Sequence, residues 1–157
     1  MSKVNLMKRE GYSIGDAAVD GLLNGVIAGV AMAVYMLLML LINNVPLGEI
    51  FSYFSSTTSS PVAGTLLHLA VSGIYGVVFG LAFAYLAKRR GGPSLTWLAL
   101  IAGLVYSAIL WFIASTIVLS IGSISPPDLS GAHLFIAHLF YGLILGILSL
   151  RSNARTE

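Results

Sequence analysis

The sequence predicts an all-α fold, an integral membrane four-helix bundle, and two observations carry this prediction. Of the 157 residues, 57% are hydrophobic and only 9% are charged, with a mean hydropathy of +0.93. A soluble domain needs more charge to cover its surface, since about a quarter of the residues in such domains are charged. The second observation is that four long apolar segments divide the chain.

Each apolar segment is long enough to cross a bilayer as a helix, which needs about 20 mainly apolar residues. Helices also satisfy their own backbone hydrogen bonds, which lipid cannot do. We expect a single transmembrane domain over residues 1–157, with helices at about 17–42, 62–87, 95–121 and 132–150. Ser13 and Asp16 have the spacing of a capping box, which predicts that the first helix starts at the membrane surface.

The positive charges predict the orientation of the chain. All eight Lys and Arg residues lie before the first segment, between the second and third, or after the fourth. Because cytoplasmic loops carry an excess of Lys and Arg, both termini are expected in the cytoplasm, in the plasma membrane of a prokaryote. Of the outer loops, the first is expected to hold a short interfacial helix around residues 50–54. The second holds Pro126 and Pro127, which predict an extended turn.

Small residues recur at four-residue spacing in every segment, and residues four apart lie on one face of a helix. In lipid, close backbone packing drives helix association, and small residues permit it. We expect the packed faces to consist of Gly21, Gly25 and Gly29, then Ser72, Gly76 and Gly80, then Gly103 and Ser107, and finally Gly142 and Gly146. These stripes either hold one bundle together or also leave a surface for a partner protein, and both can be true.

Short matches suggest an internal repeat. The second segment contains YGVVFG at 75–80, and the fourth contains YGLILG at 141–146. The first contains VIAG ending at Gly29, and the third contains LIAG ending at Gly103. Since both halves start on the same side, this would be a parallel 2+2 repeat with its axis along the membrane normal.

Two histidines are the candidate cofactor ligands. His68 and His138 each precede a small-residue stripe by four residues, so both are expected to face a neighbouring helix. As a pair they would ligate haem b, if they lie at one depth. Counting from the outer ends gives equal depths, whereas counting from the inner ends separates them by roughly 10 Å. The alternatives are an imidazole hydrogen-bonded across the bundle, or a proton-linked or partner-contacting one. His133 is expected to be an interfacial residue.

Other chemistry is sparse in the sequence. The chain has no cysteine, and no charged residue lies in the central part of any segment. Asp16, Asp20 and Asn24 share a face at the start of the first segment, where the helix dipole favours anions. They are expected to cap the helix or, alternatively, to admit a cation or proton. We find no nucleophile–base pair, phosphate-binding loop or metal motif, and the net charge of +2 does not indicate nucleic acid.

The order of these features resembles a known group. It comprises a Gly-rich first helix, H…YGVVFG in the second, Tyr106 and Trp111 in the third, the proline pair and then HLFYGLILG. The chain resembles a widespread group of small uncharacterised four-helix membrane proteins of bacteria and archaea over residues 20–150. The resemblance implies a four-helix bundle with no established activity, and no catalytic residue is carried over.

The sequence therefore predicts a protein that is not an enzyme and has no resident cofactor. We expect a small accessory or structural subunit of a larger membrane complex, first of all a respiratory or other electron-transfer assembly. Its partners would be other membrane subunits and lipids. Two alternatives remain: a haem-binding membrane cytochrome that uses His68 and His138, and a homo-oligomeric channel or carrier built on the glycine stripes.

Overall fold

A computed structural model of the chain describes residues 13–45, 60–88, 94–118 and 131–154. These residues form four long helices and no strand: α1 is Ile14–Ile42, α2 is Pro61–Ala87, α3 is Ser94–Ile113 and α4 is Gly131–Ala154. All four are long and apolar enough to cross a membrane. The predicted all-α four-helix fold is confirmed. The predicted helix at 50–54 and the proline turn lie outside the described residues.

Helix α1 begins with the predicted capping box, which is confirmed. The Ser13 side chain accepts a hydrogen bond from the backbone N–H of Asp16 at 3.1 Å, and the Asp16 carboxylate accepts one from the backbone N–H of Ser13 at 2.9 Å. This reciprocal pair satisfies two of the N–H groups that a helix start leaves unpaired. The helix therefore begins before its apolar run.

The outer end of α3 differs from the uninterrupted helix that the sequence predicts. The α-helix ends at Ile113 and continues as a π-helical turn over Ala114–Val118. Within this turn, the Thr116 hydroxyl donates to the carbonyl oxygen of Phe112 at 2.6 Å. A hydroxyl that bonds the carbonyl four residues earlier competes with the backbone N–H, which favours a wider turn. Residues 119–121 of the predicted helix lie outside the described part of the chain.

The helices form two hairpins that join along one side. Helix α1 packs extensively on α2 and on α4, and α3 packs extensively on α4. The contacts of α2 with α3 and with α4 are sparse, and none joins α1 to α3 among the described residues. The bundle thus consists of an α1–α2 hairpin and an α3–α4 hairpin, with α1 and α4 in the main contact between them.

Glycine holds the first hairpin at backbone contact. A Cβ atom added to Gly76 would lie 2.5 Å from the Cα of Gly25, and one on Gly21 would lie 2.5 Å from the carbonyl oxygen of Gly76. One turn further out, a Cβ on Gly29 would lie 2.6 Å from the Ser72 hydroxyl. Side chains cannot be accommodated at such distances, so the two backbones touch where only hydrogen atoms separate them.

Glycines also bring the backbones of the second hairpin into contact. A Cβ on Gly146 would lie 2.5 Å from the carbonyl oxygen of Ala99, and one on Gly142 would lie 2.6 Å from the Ser107 Cβ. A Cβ on Gly103 would collide with the carbonyl oxygen of Gly142. All stripe residues named from the sequence are buried, and the stripes face each other in pairs within the hairpins. None of those residues is left on the outside for a partner.

The glycine contacts align the two hairpins in a different register from the one that the sequence matches suggest. The VIAG and LIAG motifs align Gly29 with Gly103. In the structure, however, Gly25 faces Gly76 and Gly103 faces Gly142, which are the first glycines of the two YG motifs. By its contacts, Gly103 therefore corresponds to Gly25, one helical turn away from the sequence match. The parallel repeat stays a prediction.

Replacing Gly76 with Ala should separate α1 from α2. The added methyl group would meet backbone atoms that cannot rotate away, so we expect the free energy of unfolding in detergent to fall by about 1–3 kcal/mol. Gly131→Ala is the matched control, because a Cβ there meets nothing within 4 Å. We call the close glycine packing inside each hairpin a glycine seam. Equal stability of the two variants in a denaturation titration would show that the seam between α1 and α2 does not stabilise the bundle.

Candidate functional site

Polar aromatic side chains gather between the helices in the outer half of the bundle. We use outer for the end at which residues 42, 61 and 131 lie, following the predicted orientation. The group, which we call the outer polar cluster, consists of Tyr35, His68, His133, His138 and Tyr141. Three helices supply it: α1, α2 and α4. It holds all three histidines of the chain, so it is the candidate functional site.

His68 of α2 bonds across the first hairpin. Its Nε2 lies 3.2 Å from the carbonyl oxygen of Gly29 in α1. A carbonyl oxygen only accepts hydrogen bonds, so Nε2 donates, and the lone pair of the neutral imidazole is on Nδ1. The close approach of the two backbones at Gly29 allows this bond. An imidazole hydrogen-bonded across the bundle was one of the alternatives that the sequence left open, and His68 has this arrangement.

His138 of α4 bonds within its own helix. Its Nδ1 donates to the carbonyl oxygen of Leu134 at 2.8 Å, which leaves the lone pair of the neutral ring on Nε2. The bond holds the imidazole in one tautomer and one orientation. A backbone carbonyl plays this role for many metal-ligating histidines. The spacing of His138 to Gly142 predicted that His138 faces a neighbouring helix. That spacing did not indicate the hydrogen bond to Leu134 within α4.

The depths of the two histidines are set by a hydrogen bond between their helices. The Tyr141 hydroxyl donates to the carbonyl oxygen of Ser72 at 2.7 Å. Tyr141 follows His138 by about one turn, and Ser72 follows His68 by one turn. His68 and His138 therefore lie at similar depths, as counting from the outer ends predicted. The inner-end count misleads because α4 continues to Ala154, past its predicted end at residue 150.

His133 links α1 to α4 rather than lying at the interface alone. Its Nδ1 is 3.2 Å from the Tyr35 hydroxyl, and the Tyr35 ring stacks on Phe140 with ring centroids 5.1 Å apart. Tyr35 was not predicted from the sequence. No local pattern could reveal it, because its partners lie on the far segment and depend on the rotation of both helices.

The side of the bundle between α2 and α3, the α2–α3 side, has a different contact chemistry. The Tyr106 hydroxyl donates to the carbonyl oxygen of Tyr75 at 2.9 Å, and its ring packs on Phe79 at 5.4 Å between centroids. Large side chains thus bridge the helices here in place of glycines. Val78 and Ile109, each one turn beyond a tyrosine, are both 52% exposed. Because the contacts between α2 and α3 are sparse, the α2–α3 side is the least closed side of the bundle.

The inner half holds fewer polar contacts. Asn24 is buried, and its Nδ2 donates to the Ser152 hydroxyl at 3.3 Å, which joins α1 to α4. This separates Asn24 from the helix cap at Asp16, with which the sequence had grouped it. Among the described residues, the buried Trp111 Nε1 and Ser149 Oγ atoms have no hydrogen-bond partner. The same residues contain no group of three or more His, Cys, Asp or Glu side chains able to hold a metal ion.

Four long apolar helices, two glycine seams and an internal polar cluster define a multi-pass α-helical membrane protein. Comparison with protein-family models, curated proteins and solved structures finds no match to this chain. The resemblance to small four-helix membrane proteins thus stays an expectation.

Tyr141→Phe should destabilise the bundle without unfolding it. The variant keeps the ring and removes one buried interhelical hydrogen bond, so the free energy of unfolding should fall by about 0.5–1.5 kcal/mol. Tyr106→Phe removes the equivalent bond at a less buried position and should cost less. Unfolding titrations in one detergent compare the three proteins. A Tyr141→Phe protein as stable as the parent would show that this bond does not fix the register.

Proposed function

We propose that the chain is a small non-catalytic accessory subunit of a larger membrane complex, in the plasma membrane of a prokaryote and with both termini in the cytoplasm. A respiratory or other electron-transfer assembly is the host that we propose first. One observation supports a subunit role: the α2–α3 side lacks a glycine seam and leaves apolar helix faces open to a neighbouring helix.

The sparse contact between α2 and α3 leaves this side available to a helix of another subunit. Phe79 packs on Tyr106 between the two helices, and Val78 and Ile109, one turn beyond Tyr75 and Tyr106, are half-exposed. In lipid, helices associate through close packing of complementary surfaces rather than through the hydrophobic effect. A groove between two helices can receive the side-chain ridge of a third.

The glycine stripes do not provide this surface. They are buried inside the two hairpins, so a partner would meet large apolar side chains instead. The homo-oligomeric channel or carrier depended on stripes that remain available on the outside. No observation on the described residues favours it, and we do not propose it.

The subunit role is tested by photo-cross-linking combined with native mass spectrometry. A photoreactive phenylalanine at Val78 or Ile109 should cross-link, in native membranes, to a larger subunit that also co-purifies with the unmodified chain in mild detergent. Ile27 of α1, also 52% exposed, is the matched control and should cross-link mainly to lipid. Purification of the chain alone, or as a ring of identical copies, would overturn the proposal.

A membrane cytochrome is the second candidate, because His68 and His138 lie at similar depths. The centre of the bundle is nevertheless filled near that level, since Tyr141 and Met32 are only 3% and 8% exposed. A porphyrin would have to displace these side chains.

The visible absorption spectrum decides between the two candidates. If the chain is an accessory subunit without haem, protein purified gently from haem-replete cells should show no Soret band. A Soret band that disappears in both His68→Ala and His138→Ala, but persists in His133→Ala, would establish the cytochrome instead.

A further inference from the structure

We propose that the two hairpins swing apart about the contact between α1 and α4, so that the α2–α3 side opens to the lipid as a lateral gate. The open state uncovers Tyr141 of the outer polar cluster, which is buried in the closed bundle. The inference concerns the isolated chain and does not rest on the accessory role. It is carried by the uneven distribution of contacts between the hairpins.

Each hairpin moves as one unit because its glycine seam leaves no free space. The backbones touch at Gly25 and Gly76 in the first hairpin, and at Gly103 and Gly142 in the second. Such short distances give the close packing that drives helix association in lipid. A shift of either helix along its seam would bring neighbouring side chains into backbone positions that only glycine fits. Motion is therefore easier between the hairpins than within them.

The contact between α1 and α4 forms the hinge. These two helices pack extensively, and hydrogen bonds fasten them at both ends. Tyr35 bonds to His133 near the outer end, and Asn24 bonds to Ser152 near the inner end. A rotation about the line through these two bonds keeps both of them, so the hairpins can change their angle without losing the α1–α4 contact.

The opposite side, between α2 and α3, is fastened by few interactions. Tyr106 donates to the carbonyl oxygen of Tyr75, and Tyr141 of α4 donates to that of Ser72. The ring of Phe79 also packs on Tyr106. Lipid chains are as apolar as these side chains, so little hydrophobic force keeps the gate closed, and interhelical hydrogen bonds in membranes are individually weak. The closed state is thus held by interactions that single substitutions can remove.

The connectivity of the chain determines the shape of the opening. Residues 88–93 join the inner ends of α2 and α3, whereas no short connection joins their outer ends. A rotation of the hairpins therefore separates the outer ends more than the inner ends. The outer half is also the half that contains the outer polar cluster, so the gate opens towards the candidate site.

The gate is tested by measuring distances between spin labels with pulsed electron paramagnetic resonance. Because the chain has no cysteine, pairs of labelled cysteines can be introduced without background. Exposed Leu67 and Phe112 report on the outer ends of α2 and α3, and exposed Leu86 and Trp97 report on the inner ends. In lipid nanodiscs, the outer pair should show a second, longer distance, and the inner pair should show a smaller increase.

Removing the hydroxyl groups that close the gate should increase the open fraction. Tyr106→Phe and Tyr141→Phe should each raise the ratio of long to short outer distances about threefold, which is the factor that an average interhelical hydrogen bond contributes in a membrane. The double variant should raise the ratio roughly tenfold if the two bonds act independently. An outer distance distribution that is the same in the parent and the double variant would overturn the proposal.

Two control pairs separate hinge opening from general loosening of the bundle. Labels at Ile27 and Ile74 measure the distance within the first hairpin, and labels at Val34 and Ile136 measure the distance across the hinge. Both pairs should keep a single distance in the parent and in every Tyr→Phe variant. If the pair within the first hairpin broadens as much as the outer pair, the hairpins are not rigid units and the proposal fails.

A photo-cross-linking measurement reads the same opening with both tyrosines intact. Phe79 is replaced by a photoreactive phenylalanine of similar shape, and the chain is placed in nanodiscs that contain only lipid. The Phe79 side chain is buried in the closed bundle, so capture of acyl chains requires the gate to open. A probe at exposed Ile27 cross-links to lipid in either state and calibrates the yield. A Phe79 probe that reacts only within the chain would contradict the gate.

Discussion

Contact between glycine backbones inside each hairpin is the constraint on which the rest of the structure depends. Lipid provides little hydrophobic force between helices, so association requires the short distances that Gly25 and Gly76, or Gly103 and Gly142, permit. The same closeness brings the Gly29 carbonyl within reach of His68. The position of the His68 imidazole in the candidate site is therefore a consequence of the glycines that bring α1 and α2 together.

The hairpins are joined to each other by different forces. Two hydrogen-bonded pairs connect α1 to α4. Tyr35 pairs with His133 near the outer end, and Asn24 pairs with Ser152 near the inner end. Between those levels, the Tyr141 hydroxyl reaches across the bundle to α2. Such bonds are few and directional, whereas the glycine seams are continuous. The seams thus hold each hairpin together, and the polar bonds fix the register between the hairpins, including the similar depths of His68 and His138.

Local patterns in the sequence predicted the four helices and the capping box at Ser13, because hydropathy and cap spacing act within one segment. They also selected His68 and His138 from their spacing to small residues. They did not reveal the Tyr35–His133 pair or the Tyr141 bond, which depend on how distant helices rotate against each other. The extension of α4 to Ala154 was missed because its last turn is polar and carries no apolar signal.

The acceptors of the interhelical bonds from His68, Tyr106 and Tyr141 are all main-chain carbonyl oxygens. The donor residue is therefore constrained, but the residue that receives the bond is not required to carry any particular functional group. At Tyr75, evolution can replace the side chain and retain the bond. Correlated substitutions between related sequences would consequently miss this contact, although it helps to hold the two hairpins together.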